Sequence, residues 1–251
     1  MPIQAVLFDL FNTLIMVRDG DAFYMPALKQ LHKTLTRNNI NIPFDDFKHE
    51  YFQVRDKLYK KAETTLEEPH FNIRISQTLQ NFNINLPPEH PTIAKATNIF
   101  CKEFTKHTSL DPDAKTVLSR LSKKYKLGIV SNFAIPECAH RLLKQHRIDR
   151  HFQTVIISAA INKRKPSPKI FQKALQTLKV QPSNAMFIGD TPNADIQGAK
   201  NAGMKAILIK RPPLPEDTPQ PTSRTQEQTP NAQPNHTIQR LTELPSILQQ
   251  H

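Results

Sequence analysis

The run Ala5-Val6-Leu7-Phe8-Asp9-Leu10-Phe11-Asn12-Thr13-Leu14 decides how the rest of the chain is read. An apolar stretch ends on a carboxylate, with a turn residue and a hydroxyl just beyond it. That is the pattern of a buried parallel strand, and ligands of such sheets gather outside the carboxyl ends of the strands. Taken alone, the segment reads as a core strand closed by an Asn-containing turn. Repetition lifts Asp9 above that reading. Leu127-Gly128-Ile129-Val130-Ser131-Asn132 ends on a hydroxyl, and Ala185-Met186-Phe187-Ile188-Gly189-Asp190 ends on a second carboxylate. Between them, Val155-Ile156-Ile157-Ser158 leads within ten residues to Lys165-Pro166. Four strands would thus converge a nucleophile, a hydrogen-bond donor, a cation and a metal ligand. Strands alternating with helices of this length imply an α/β fold: a Rossmann-like parallel sheet covered by helices on both faces.

Between the first strand and the second, the pattern changes. Phe23, Ala27, Leu28, Leu31 and Leu35 form an amphipathic helical stripe. Further helices are expected from about Asp45 to Tyr59, from Ile73 to Phe82 and from Pro91 to Phe104. Residues 17–107 are therefore predicted to be helical. Arg55, Arg74, His70 and Tyr24 are the side chains there most worth testing as substrate contacts, and Arg18 with Gly20 marks a plausible hinge. After residue 108 the reading is an N-capped helix at Asp111-Pro112, a strand over 127–131, a helix from Pro136 to His146 and a strand over 154–158. A helix opened by Pro168, a strand over 185–189, a short helix ending near Gly203 and a strand over 205–210 complete the set.

Residues 211–235 are read as a disordered Pro-rich insertion, since seven prolines fall between Arg211 and Pro234 with Leu214 and Ala232 the only apolar side chains. Thr237-Ile238 and a short helix after them are predicted to dock back onto the core, with Pro245 confined to that helix's first turn. The domain division that follows is 1–16 plus 108–210 and about 236–251 for the core, with 17–107 inserted into it.

The chain of 251 residues carries a formal charge of +12, and the excess is local: residues 108–210 hold 18 basic against 6 acidic side chains. A field of that sign draws phosphorylated or carboxylated substrates. Neither zinc-finger spacing nor a basic stripe interleaved with aromatics points to nucleic acid. Cys101 and Cys138 are too few for a disulfide framework or a thiolate metal site, and are read as ordinary thiols in a reducing compartment. No signal peptide and no apolar stretch long enough for a bilayer is visible, so a soluble, cytoplasmic protein is expected, monomeric or weakly dimeric and with no membrane partner.

Phe8-Asp9 to Thr13-Leu14, Ser131-Asn132, Lys165-Pro166-Ser167-Pro168-Lys169-Ile170-Phe171, and Gly189-Asp190-Thr191-Pro192-Asn193-Ala194-Asp195 resemble, in order, the four motifs of the haloacid dehalogenase-like hydrolase superfamily. The resemblance covers residues 1 to about 210 and makes 17–107 a small helical cap. It implies that Asp9 is the nucleophile, forming an aspartyl-phosphate. It further implies that Asp9, the Phe11 backbone carbonyl, Asp190 and Asp195 hold Mg²⁺, a hard cation suited to oxygen ligands. Ser131, Asn132 and the backbone of Leu10 and Phe11 would take phosphoryl oxygens, while Lys165 would balance the clustered charge.

Phe11 departs from the pattern. Phosphatases of the superfamily carry at that position an aspartate that protonates the leaving group. Dehalogenases of the family carry a non-acidic, often aromatic residue there, but use no metal and usually lack the acid at position 190. Retention of both Asp190 and Asp195 favours a Mg²⁺-dependent phosphatase acting on a small phosphorylated metabolite. The alternatives are a 2-haloacid dehalogenase using Arg55, and a catalytically weak protein binding a phospho-ligand or partner.

Overall fold

The computed structural model describes residues 2–18, 20–211 and 232–250. In chain order the elements are β1 (Ala5–Phe8), β2 (Ile15–Val17), α1 (Tyr24–Thr36), α2 (Phe44–Thr65), α3 (Phe71–Gln80), α4 (Pro91–Lys106), β3 (Thr108–Leu110) and α5 (Ala114–Leu121). There follow β4 (Lys126–Ser131), α6 (Pro136–Gln145), β5 (Thr154–Ile157), α7 (Ser158–Ile161), α8 (Pro168–Leu178), β6 (Ala185–Gly189), α9 (Gly198–Asn201), β7 (Lys205–Ile209), β8 (His236–Ile238) and α10 (Leu244–Leu248).

Six strands form one sheet in the order β5-β4-β1-β6-β7-β8, and every pair in it is parallel. The alternation of side chains across the pleat explains why a continuous apolar run was needed. Val6, Phe8, Leu127, Ile129, Met186 and Ile188 face the core under α4, α5 and α6. Ala5, Leu7, Val130, Ala185 and Phe187 face the opposite core under α8 and α9. From β1 the chain builds outward to β4 and β5, then returns to the other side of β1 with β6. The registers Phe8↔Ile129 and Phe8↔Ile188 set the carboxyl ends of the three central strands side by side. Such a reversal in strand order leaves a crevice at that edge.

Residues 24–106 contain four helices and, among the described residues, no strand. The inserted helices join the sheet through an antiparallel ribbon, β2 with β3, which the sequence reading did not anticipate. At its outer end Arg18 donates its N–H to the His107 carbonyl at 2.8 Å and its Nε to Ser109 Oγ at 3.0 Å. α2 extends well past the predicted Tyr59, because Lys60, Lys61, Ala62 and Glu63 all favour helix and Ala62 is buried. It ends where Leu66 takes a left-handed φ of 51°. α3 starts at Phe71, two residues earlier than predicted, because the His70 ring accepts the Asn72 N–H at 3.2 Å.

The predicted helix cap at Asp111 is corrected. α5 begins at Ala114; Asp111 instead accepts the Asp113 N–H at 2.9 Å and pairs with Arg211 at 2.9 Å. One carboxylate oxygen serves the turn that leads into α5, and the other is held by a cation from far along the chain. The reading of Cys101 and Cys138 as ordinary thiols is also corrected: they are joined in a disulfide, with Cα atoms 5.8 Å apart. No spacing rule could show this, since the partners lie 37 residues apart on α4 and α6.

The return of the C-terminus is as expected. β8 adds to β7 through Ile209↔Ile238, Leu241, Leu244 and Leu248 are buried, and Pro245 lies in the first turn of α10. Most of the Pro-rich stretch, residues 212–231, lies outside the described residues. Arg211 and Ala232 to Asn235 at its ends are described; Ala232 donates its N–H to Gln197 Oε1, and Asn235 exchanges two hydrogen bonds with Ala206. No described helix is long and apolar enough to cross a membrane.

Candidate active site

The crevice at the carboxyl ends of β4, β1 and β6 receives Ser131, Asp9 and Asp190 from three adjacent strands. Just past β1 the chain turns sharply. Asn12 has φ 56°, a left-handed conformation that Asn tolerates better than most residues, and its N–H donates to the Ile15 carbonyl at 2.7 Å. The turn presents Asp9, which is buried. Beyond β6, a π-helical turn over Pro192–Gln197 brings Asp195 back towards the strand end, a distortion that often marks functional sites. Asp195 Oδ2 accepts the Thr191 N–H at 2.9 Å. Gly189 is required here, since a Cβ on it would overlap the Asp195 carboxylate.

The three acids from separate parts of the chain meet: one oxygen each of Asp9, Asp190 and Asp195 lies within 4.8 Å of the others. Lys165 reaches into the same cluster, with Nζ 2.6 Å from Asp9 Oδ1 and 2.6 Å from Asp195 Oδ1. Its main chain is clamped by Asn132, which accepts the Lys165 N–H at 2.7 Å and donates Nδ2 to the Lys165 carbonyl at 3.0 Å. Asn132, read from sequence as a phosphoryl contact, therefore holds the cation in place.

The electrostatics follow from burial. Loss of water pushes the Asp9 carboxyl up to about 6; Lys165 opposes this, Asp195 adds to it, and the Leu10 N–H opposes it weakly. Burial by itself would depress the Lys165 ammonium, but Asp195 and Asp9 outweigh it and hold its pKa above the usual lysine value.

The donor set suits a hard divalent cation. Asp195 Oδ1, although beside the ammonium, is off the line of a hydrogen bond, and this buried oxygen has none among the described residues. Three carboxylates, one oxygen of each within 4.8 Å of the others, form the donor cluster a divalent ion would occupy. Oxygen-only ligands are what Mg²⁺ takes. Ser131 Oγ is likewise buried without a hydrogen-bond partner, which leaves it available to an anionic oxygen.

Phe11 packs its ring on Phe133 at 4.7 Å and on Phe104 at 5.6 Å. Phe104 comes from α4, so a helical residue roofs the turn that follows the Asp9 strand. Other helical candidates are engaged elsewhere. Arg55 donates to Asp56 at 2.8 Å and stacks on Phe52 at 4.4 Å, both on its own helix. Tyr24 and Arg74 are locked together with Tyr51: the two hydroxyls lie 2.9 Å apart and Arg74 donates to them at 3.0 and 3.2 Å. His70 caps α3 and meets Glu137 at 3.1 Å. None of these contacts joins the four to the acid cluster.

Arg211 was missed. Its guanidinium donates to the Asn12 carbonyl at 2.8 Å and the Thr13 carbonyl at 2.5 Å while pairing with buried Asp111. It braces the turn beside Asp9 from the far end of β7, and its place at the mouth of a Pro-rich stretch disguised it. Phe104 and Phe133 were also missed: Phe104 entered only as the end of a predicted helix, and nothing local singled out Phe133.

A family model described as haloacid dehalogenase-like hydrolase matches residues 3–203. The glyceraldehyde 3-phosphate phosphatase of Pyrococcus furiosus is 29% identical over 211 residues, covering 83% of this chain and 81% of that protein. Among solved structures, the 2-haloacid dehalogenase from Pseudomonas syringae pv. Tomato DC3000 has a TM-score of 0.70 at 20% identity, covering 99% of both chains. A HAD phosphatase from Thermococcus onnurineus has a TM-score of 0.62 at 24% identity, covering 98% of both. At these identities the two structures speak for the fold alone. The match over residues 3–203 of 251 carries the assignment: this chain is a hydrolase that belongs to the haloacid dehalogenase-like family.

Proposed function

We propose that the protein is a Mg²⁺-dependent phosphatase of a small phosphorylated metabolite. The observation that carries this reading is the meeting of Asp9, Asp190 and Asp195 within 4.8 Å around the Lys165 ammonium. In phosphoryl transfer the protein's contribution is mainly positioning and neutralisation of charge. Asp9 attacks phosphorus through a carboxylate oxygen, the bond from phosphorus to the ester oxygen breaks, and an aspartyl-phosphate forms. Water then attacks that phosphorus, the bond to Asp9 breaks, and inorganic phosphate leaves. Lys165 holds Asp9 ionised and oriented, and Ser131 Oγ donates to a phosphoryl oxygen. Asp9, Asp190, Asp195 and the Phe11 carbonyl would hold Mg²⁺, which supplies positive charge against the phosphoryl oxygens.

The helices of residues 17–107 act as a cap that excludes water from the crevice. Because Phe11 cannot protonate the departing oxygen, substrates with good leaving groups are favoured. The phosphatase names of relatives such as the Pyrococcus furiosus enzyme support the reaction class, and a triose or small sugar phosphate is the substrate class proposed here.

One observation favours a second reading, 2-haloacid dehalogenation: the apolar wall of Phe11, Phe104 and Phe133 suits a carbon–halogen centre. Asp190, which completes a three-carboxylate cluster with Asp9 and Asp195, weighs against it. Turnover of p-nitrophenyl phosphate with Mg²⁺ and with EDTA, for wild type and Asp9→Asn, separates the two. Metal-dependent hydrolysis abolished in the variant is expected; chloride release from 2-chloropropionate in EDTA, without phosphatase activity, would replace the first reading with the second.

A further inference from the structure

We propose that Cys101 and Cys138 form a thiol–disulfide site through which a small-molecule disulfide, of the glutathione type, controls opening of the crevice. This rests on the reading that substrate reaches Asp9 beneath the helices of residues 17–107. Cys101 lies on α4 within that helical insertion, and Cys138 lies on α6, packed on the sheet. The bond is therefore a covalent tie between two parts of the chain otherwise joined by the β2–β3 ribbon, by apolar packing such as that of Phe104 on Phe133, and by polar contacts. The polar contacts include Arg141 to Asn98, His70 to Glu137 at 3.1 Å, Glu68 to Arg164 at 3.4 Å, Lys163 to the Thr65 carbonyl at 3.0 Å, and the Phe71 N–H to the Ala134 carbonyl at 2.9 Å. Non-covalent contacts of either kind part and re-form freely, whereas a disulfide opens only by thiol exchange.

The tie sits where it matters. Cys101 and Phe104 are three residues apart on α4 and share one face of the helix. Phe104 is the ring that packs on Phe11 and Phe133. A disulfide tolerates Cα separations up to ~6.8 Å. With 5.8 Å already spanned, α4 can withdraw from α6 by only about 1 Å while bonded. Lifting Phe104 clear of Phe11 requires displacement by at least a van der Waals contact distance, ~3.5–4 Å between carbon atoms. The bonded form is thus held closed and the dithiol form is free to open.

Both sulfurs are buried in the closed arrangement, so exchange begins from the open one. The Cys138 thiolate attacks one sulfur of the small disulfide and releases one thiol. The Cys101 thiolate then attacks the Cys138 sulfur of the mixed disulfide, closing the intramolecular bond and releasing the second thiol. Two cysteine thiols lose two protons and two electrons, and one small disulfide becomes two thiols. Forming the bond draws α4 onto α6, where the buried sulfurs meet reductant only slowly.

The test uses the full chain equilibrated with oxidised glutathione or with dithiothreitol, its thiol state read by intact mass. Two quantities are then measured: kcat/KM for p-nitrophenyl phosphate with Mg²⁺, and hydrogen exchange of the β2–β3 ribbon and α4. The oxidised wild type is expected to lose at least tenfold in kcat/KM and to exchange more slowly in both segments. Prolonged dithiothreitol should reverse both effects, and the Cys101→Ser/Cys138→Ser double variant should behave as reduced wild type in either buffer. If neither redox form hydrolyses the ester but exchange still differs, the phosphatase reading falls and the clamp stands. The clamp is overturned if both thiols stay free in oxidised glutathione, or if exchange is the same in the two forms. It is equally overturned if exchange differs while kcat/KM in an active enzyme does not. The wild-type comparison needs no substitution, so misfolding of the variant cannot mask the result.

Discussion

Replacing Lys165 by Met removes an ammonium of nearly the same length and shape from between two buried carboxylates. In the wild type Nζ is 2.6 Å from both Asp9 and Asp195, and the three side chains are almost inaccessible to water. Removing one partner from a buried ion pair costs about 3–5 kcal/mol, because the remaining charge is stranded. Here two carboxylates are stranded, with Asp190 close by. The folded variant can reduce the cost only by taking up a proton. Asp9 already titrates near about 6 with the lysine present, so without it Asp9 is expected to be protonated at pH 7.5. That relief places the net loss in EDTA within the same range of about 3–5 kcal/mol rather than at twice that. For a chain of this size each kcal/mol moves Tm by about 2–4 °C, so the melting point should fall by about 6–20 °C. Mg²⁺ replaces the missing charge and should restore a large part of the loss; at one hundred times its Kd a ligand adds about 2.7 kcal/mol. At pH 5, where Asp9 is protonated in both proteins, only the Lys165–Asp195 pair distinguishes them and the gap should narrow. Thermal unfolding followed by circular dichroism at pH 7.5 and pH 5, in EDTA and in Mg²⁺, measures all four numbers. A variant melting within about 2 °C of wild type in EDTA at both pH values would refute the electrostatic account of the cluster.

Other outcomes follow from the same geometry. Asp9 is an acid whose folded pKa lies above its unfolded value of 3.8. Its favourable contribution is therefore complete below about pH 4 and is lost as pH rises through about 6. In EDTA, wild type should lose Tm relative to Asp9→Asn between pH 5 and pH 7.5, and Mg²⁺ should flatten that slope. Phe11 leaves the departing oxygen without an acid, so p-nitrophenyl phosphate should outpace an alkyl phosphate by about 10²–10⁴ in kcat; equal rates would mean another group supplies the proton. Arg211→Met strands Asp111 and frees the Asn12 and Thr13 carbonyls. Loosening the turn beside the nucleophile should lower kcat at least tenfold with little change in KM, a split that steady-state kinetics with Mg²⁺ reads directly.

The strands, their parallel pairing and the acids at their ends were legible in the sequence because each depends on local pattern. A strand buried on both faces must be apolar throughout, and the carboxylate that ends it cannot lie inside the sheet. That logic placed Asp9, Asp190 and Ser131 at one edge before any coordinates. It also anticipated that Ile238 and α10 would return to the core, since apolar residues after a polar stretch need somewhere to be buried. Local pattern could not say which side chains are consumed by other side chains. Asn132 clamps Lys165, Asp111 answers Arg211 as well as the turn before α5, and Arg74 is held by Tyr24 and Tyr51. Cys101 meets Cys138 across two helices that share no pattern. Each of those outcomes depends on the distance between elements far apart in the chain, and only the packing of α4 on α6, of β7 beside β6, and of α1 on α2 and α3 fixes that distance.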